Sequence, residues 1–335
     1  MRSAYHADFY DVCFVCRASI DHGFGHLMRC AAVAEVLSES LNTAFVLYGD
    51  ESAFEEFVAL SIGSATAILK PIAEANYEPT VKCGIAVYDT LELERFCGVA
   101  CANYSISLSP LEVDDDSSLP IDEVILRARP PLTGGSGVTV TAGIEYAIIS
   151  ASVKSEENKT EAGFIESKWP VKRPVCIALS AARAHPEIAG FWDMFDSFAS
   201  DRSFAQSFLV PSGAVSAASQ NIRAYGFDEL ASAAVCSKLA VTRTGITAYE
   251  LAYLGIPSIY WVSDDRYSWL VNDLVNCGFG VAVTGGARNL LDSLNDEKFL
   301  ANVEQTTRNT TRSVDGLGAE RIADVIKVRL SAIRD

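Results

Sequence analysis

An imidazole ionises near neutrality, so a histidine beside an anion site suits general acid–base chemistry. His26 has that setting. It stands in Arg17-Ala-Ser-Ile-Asp-His-Gly-Phe-Gly-His26-Leu-Met-Arg29, where Gly23 and Gly25 let the backbone turn sharply and approach a ligand. A second stretch, Thr244-Gly245-Ile246-Thr247-Ala-Tyr-Glu250, repeats the glycine turn and adds a carboxylate suited to the two hydroxyls of a ribose. Unpaired N–H groups near Ile246 and Thr247, at the positive end of a helix, suit a phosphate. Helix end and carboxylate together describe a nucleotide pocket.

The elements around both stretches follow one grammar. Val12–Cys16 is a short apolar run, read as a buried strand. Leu27, Cys30, Ala34, Leu37 and Leu41 then recur at three and four, one face of a helix. In the second stretch Lys238–Thr242 is the strand, a helix runs to Leu254, and Gly255 and Pro257 stop it. Further strands are predicted over 43–48, 83–88, 99–107, 121–126, 175–179, 207–210 and 258–262, and helices over 227–235 and 267–277. Alternating strands and helices in two successive halves predict an α/β chain of two Rossmann-like domains facing a cleft. The charged, pattern-poor stretch 152–173 is the predicted boundary, giving domains 1–168 and 169–335 with a terminal helix over 316–333.

Other readings of the same residues stay open. A glycine turn into a helix is also an ordinary tight connection. It is also two-thirds of a dinucleotide fingerprint, with Asp50 as the ribose acid, although Met28 occupies the third glycine position. The acidic run 111–116 suits a divalent cation or a solvated turn, and Thr133–Gly137 lacks the Lys-Ser/Thr of a phosphate loop. Cys13-x-x-Cys16 lies within a strand, so its side chains face opposite ways and neither zinc nor redox chemistry is indicated.

Over 335 residues, 27 Lys+Arg stand against 43 Asp+Glu, a formal charge of −16. That balance argues against nucleic-acid binding, which needs a basic footprint. At 49% hydrophobic the chain can fill two cores, yet no stretch reaches the length of a membrane-spanning helix. The nine cysteines are scattered through apolar segments, as reduced thiols are, and a cytoplasmic protein is expected.

The two glycine stretches resemble the signature loops of GT-B nucleotide-sugar proteins. The resemblance is greatest to the UDP-sugar hydrolase of pseudaminic acid biosynthesis and its spore-coat-polysaccharide relatives. Through the second loop it extends to the UDP-GlcNAc transferase of peptidoglycan synthesis. Ala142–Ile149 resembles the segment closing the hydrolase's first domain, and Val314–Arg321 the start of its terminal helix. The resemblance implies a metal-independent, cofactor-free displacement at the anomeric carbon of a UDP-linked deoxy-amino sugar, with water attacking and UDP leaving with inversion. His26 and Asp89 are the implied catalytic residues. The implied nucleotide-sugar contacts are Arg17, Gly23, Gly25 and Arg29 in the first loop. In the second half they are Thr244, Gly245, Ile246, Thr247, Glu250, Asp265 and Arg266.

The chain also departs from the family. Its Asp-His-Tyr reads Asp89-Thr90-Leu91, its Asn-Gln pair reads Asp265-Arg266, and where its first strand of domain two ends in two glycines this chain reads Leu179-Ser180-Ala-Ala182. Three functions therefore compete: a UDP-sugar hydrolase, an inverting glycosyltransferase using a UDP-sugar, and a non-catalytic nucleotide-sugar binder. A UDP-sugar is the implied partner in each, with no nucleic acid and no stable membrane insertion. The oligomeric state is left open.

Overall fold

The computed structural model describes residues 9–19, 24–60, 62, 65–70, 81–90, 93–96, 98–110, 120–130, 138–161, 173–179, 186–200, 206–215, 221–226, 229–306 and 314–334. The chain divides into two compact units, Met1–Ile148 with Leu317–Asp335, and Ile149–Gly316.

The first unit holds β1 (Phe9–Ala18), α1 (Gly25–Leu37), β2 (Thr43–Gly49), α2 (Glu51–Ala59), β3 (Thr66–Lys70) and β4 (Val81–Asp89). After them come α3 (Leu93–Phe96), β5 (Ala100–Ser107), β6 (Glu123–Leu126) and β7 (Thr139–Ala142). The second unit holds α4 (Ala151–Glu161), β8 (Val175–Ala178), α5 (Pro186–Ser200), β9 (Phe208–Pro211), β10 (Ile222–Tyr225), α6 (Leu230–Val235) and β11 (Leu239–Thr242). It continues through α7 (Ile246–Tyr253), β12 (Ser258–Val262), α8 (Trp269–Asn276), β13 (Gly280–Thr284), α9 (Ala287–Asn295) and α10 (Glu297–Thr306). The last helix, α11 (Gly318–Arg334), belongs to the first unit.

Both sheets are wholly parallel. Their orders are β3-β2-β1-β4-β5-β6-β7 and β10-β9-β8-β11-β12-β13. The central strands read as unbroken apolar runs because helices cover both faces. Val12 to Cys16 and all of β2 are buried. In the first unit Phe14, Phe45, Leu27, Cys30, Ile322 and Ile326 share one core. In the second, Phe191, Trp192, Phe195, Phe208 and Trp261 form an aromatic cluster.

The boundary differs from the one read from charge. The stretch from Ala151 to Glu161 is helix α4 of the second unit, its Val153 buried, rather than a linker closing the first domain. Its many polar residues give no apolar stripe, so its helical period is hidden. Helix α11 joins the first unit instead of ending the second. Arg329 Nε meets the buried Glu123 at 2.9 Å, Arg321 donates to the Glu145 carbonyl at 2.8 Å, and Leu330 is buried. A Cβ on Gly318 would lie 2.2 Å from the Ala147 carbonyl oxygen, so glycine is what lets the helix start there.

Candidate functional site

In an open α/β sheet, ligands bind beyond the carboxyl ends of the strands where the strand order reverses. In the first unit that point lies between β1 and β4. Asp89 is the last residue of β4, and His26 is the second residue of α1, the helix that follows β1. Residues 63 apart in sequence thus meet: His26 Nδ1 lies 2.8 Å from Asp89 Oδ1. Arg29 donates to the same carboxylate from Nε to Oδ2 at 2.8 Å and from Nη2 to Oδ1 at 2.6 Å. Ser109, just beyond β5, adds its hydroxyl to Oδ1 at 2.8 Å.

Asp89 is 0% exposed. Burial acts to raise its carboxyl, but the Arg29 guanidinium and His26 outweigh it, holding the group well below the usual carboxylate range. Burial likewise acts to lower Arg29, and the Asp89 carboxylate overcomes it, so the guanidinium is held up. The pair stays ionised. Where Nδ1 carries the ring proton it donates to the carboxylate and Nε2 keeps its lone pair; Arg29 Nη2 also lies 2.9 Å from Nδ1. The His26 side chain is 22% exposed, so that lone pair belongs to a group open to the outside.

The two first-loop arginines sit within regular elements. Arg29 was expected to touch the nucleotide-sugar, but its guanidinium is engaged by Asp89 and its side chain is only 9% exposed. Arg17 lies inside β1, half-buried, because the strand runs two residues beyond the apolar run to Ala18. Gly25 begins α1, and a Cβ there would meet no atom within 4 Å. Gly23 lies outside the described residues, as do the acidic run 111–116, Thr133–Gly137, Leu91 and Ser180–Ala182. Asp50 caps the start of α2 by accepting from the Ala53 N–H at 3.3 Å, which leaves no ribose acid for the dinucleotide reading.

In the second unit the order reverses between β8 and β11. Thr244 and Gly245 follow β11 directly, and α7 starts at Ile246. No side chain caps this helix, so the first-turn N–H groups of Ile246 and Thr247 are not taken by a capping residue. Gly245 has φ −82°, open to any residue, and a Cβ there would meet nothing within 4 Å. Neither backbone nor packing requires glycine at this position.

Glu250 sits one turn further along α7. Its Oε1 accepts from the Ser150 hydroxyl at 2.7 Å, and burial pushes its carboxyl up against the lowering effect of the Ser150 bonds. Ser109 and Ser150 were both missed in the sequence, as neither falls within a recognisable motif.

Asp265 and Arg266 form a 3₁₀ turn after β12. Asp264 accepts from Arg266 Nη2 at 2.6 Å and from Nε at 2.9 Å, so the guanidinium, with a side chain 77% exposed, is bound by its neighbour. A different cation stands nearer the glycine turn. Arg243, the residue before Thr244, lies 3.2 Å from both Glu187 and Ser263, with its guanidinium 5.9 Å from the Trp261 ring. Among the described residues no three His, Cys, Asp or Glu side chains gather as a metal site, and no helix is long and apolar enough to cross a membrane.

No protein-family model matches the sequence, and no curated protein matches it. Solved structures do match over nearly the whole length. The calicheamicin glycosyltransferase CalG4 is similar with a TM-score of 0.59 and 12% identity, over 96% of this chain and 98% of that one. MnaA of S. aureus, solved with UDP, gives 0.62 and 9%, over 97% and 98%. The UDP-GlcNAc 2-epimerase of Methanocaldococcus jannaschii, solved with UDP-GlcNAc and UDP, gives 0.58 and 10%, over 95% and 99%. The two parallel sheets with their helices are the GT-B fold.

Proposed function

We propose that this chain acts on a UDP-linked sugar and, more finely, hydrolyses a UDP-linked deoxy-amino sugar with inversion, for nonulosonic acid or surface polysaccharide synthesis in the cytoplasm. The observation that carries the reading is the His26–Asp89 pair at the strand-order reversal of the first unit. In this reading Nε2 of His26 takes a proton from water as the water oxygen bonds to the anomeric carbon. The bond from that carbon to the diphosphate oxygen breaks, and its electron pair leaves on UDP. Asp89, ionised and fixed by Arg29 and Ser109, stabilises the imidazolium so formed.

The second unit has the nucleotide role. Helix α7 offers N–H groups and a positive end to the diphosphate, Gly245 leaves room for close approach, and Glu250 takes the ribose hydroxyls. Two of the similar structures were solved with UDP, which supports a UDP-bearing ligand here. The glycosyltransferases among them support a second reading, in which an acceptor hydroxyl replaces water.

The test is UDP release from a panel of UDP-hexoses, UDP-N-acetylhexosamines and UDP-deoxy-amino sugars, in chelator and without acceptor. Wild type should release UDP from at least one, and His26→Ala should lower that rate by about 10²–10⁴-fold. Release only when a sugar or lipid acceptor is added favours the transferase. UDP binding without release under either condition favours a binder.

A further inference from the structure

Burial pushes the Glu250 carboxyl up, and among the described residues it meets no cation. What holds it is Ser150, 100 residues earlier in the chain and within the same unit. The Ser150 hydroxyl donates to Oε1 at 2.7 Å, and both this bond and the Ser150 backbone act to lower the carboxyl against its burial.

Ser150 stands at the start of α4. Its carbonyl accepts the Lys154 N–H at 3.1 Å, the first bond of that helix, which makes it the N-cap residue. A serine in that position ordinarily turns its oxygen back to the N–H groups of its own helix. This one gives its proton to α7 instead, and the Ser152 hydroxyl lies 3.2 Å from Ser150 Oγ. With Ser150 donating to Glu250, Ser152 is placed to donate to Ser150, a chain of two hydroxyls ending on one carboxylate oxygen.

The bond restricts the carboxylate, because Oε1 is tied to a residue that the first turn of α4 itself fixes. It also leaves capacity. An ionised carboxylate offers about four lone-pair sites, and the Ser150 hydroxyl uses one of them. Both hydroxyls of a ribose can bind while Ser150 stays in place.

We propose that Ser150 is a positioning residue of the nucleotide site, holding the Glu250 carboxylate in the orientation that accepts the ribose hydroxyls, with Ser152 behind it. The proposal rests on the reading of Glu250 as the ribose acid. Ser150 acts through Glu250 and makes no contact with the nucleotide. The preference for a ribonucleotide is thereby set in part at a helix start outside the glycine turn.

Calorimetry on the full chain with UDP and 2′-deoxy-UDP tests it, the readout being the ratio of the two affinities. Ser150→Ala should weaken UDP about tenfold and 2′-deoxy-UDP by less, so that the ratio falls several-fold. Ser150→Thr keeps a hydroxyl suited to a helix start and should restore the ratio. Ser150→Gly removes the hydroxyl at little cost to the cap, so it should lower the ratio as Ser150→Ala does and decides the matter if the alanine variant does not fold. In Glu250→Ala there is no carboxylate to hold, and adding Ser150→Ala should leave the ratio where it was. Equal weakening of both nucleotides in Ser150→Ala is what a merely structural cap would give, and it overturns the proposal. A further fall in the ratio on top of Glu250→Ala puts Ser150 on the ribose itself and overturns it as well. A wild type with no preference for UDP overturns the ribose reading of Glu250 and this proposal with it. A wild-type preference that Ser150→Ala keeps whole overturns this proposal alone.

Discussion

The two strand-order reversals share a topology and are filled in opposite ways. Between β1 and β4 the point is closed by charge: an acid with no exposure, and a buried cation, a hydroxyl and an imidazole all bonded to that acid. Beyond β11 the point is left open: an uncapped helix start, a glycine with empty space where a side chain would stand, and a carboxylate that, among the described residues, meets a hydroxyl and no cation. Closing a site with paired charges pre-organises a reactive group, whereas leaving N–H groups uncapped keeps them for a ligand. The topology provides a location, and the side chains decide whether it serves chemistry or recognition.

The largest expected break in this comparison is Asp89→Ala. It strands the Arg29 charge in the interior and should cost about 3–5 kcal/mol. All four tryptophans fall within 149–316, so their fluorescence follows the second unit alone, while circular dichroism follows both. In urea the dichroism transition should move to lower concentration and the fluorescence transition should hold; a shared shift would show that the loss is not local. The cost also depends on pH. Because Asp89 is depressed in the folded chain, its contribution is present above the ordinary carboxylate value of about 3.9 and fades as pH falls below it. The gap between wild type and variant should therefore narrow from pH 7 to pH 3.

Gly245→Ala tests the open point. Its added Cβ has room in the protein, so the melting temperature should stay within about 1 °C. UDP affinity by calorimetry should fall about tenfold as the methyl meets the ligand. Equal affinity would mean that the glycine faces no ligand.

Smaller again is Glu250→Gln, which keeps an acceptor for Ser150 and removes a carboxylate that burial disfavours. Stability should change by less than about 1 kcal/mol. The preference for UDP over 2′-deoxy-UDP should shrink several-fold, roughly the value of one hydrogen bond. An unchanged preference would remove Glu250 from the ribose.

How much of this was legible depends on where a residue sits in the sheets. Every interior strand was anticipated, most of them as apolar runs, although Asn103 and Ser105 interrupt β5 and weaken its signal. The four strands not anticipated, β3, β7, β10 and β13, are the four sheet edges. An edge strand pairs on one side only and is less buried, as in Thr66–Lys70 and Thr139–Ala142, so polar residues enter it and its apolar run is short, no longer than Val281–Val283 in β13. The site divides along the same lines. His26 and Gly245 were readable because their signals are local, a glycine beside a histidine or at a helix start. The partnership of Asp89 with His26 and Arg29 spans about 60 residues, and that of Glu250 with Ser150 spans 100. Arg29 could not be assigned its inward direction from spacing alone, since loop and helix geometry would serve a ligand or a neighbour equally well.

The return of α11 to the first unit orders events during synthesis. Residues 149–316 are contiguous and can close as soon as they leave the ribosome, while the first sheet, made earlier, lacks Ile322, Ile326 and the Arg329 partner of Glu123 until almost 170 residues later. The half of the chain translated first is thus the half completed last, and for that interval it offers an uncovered apolar face to chaperones and proteases alike.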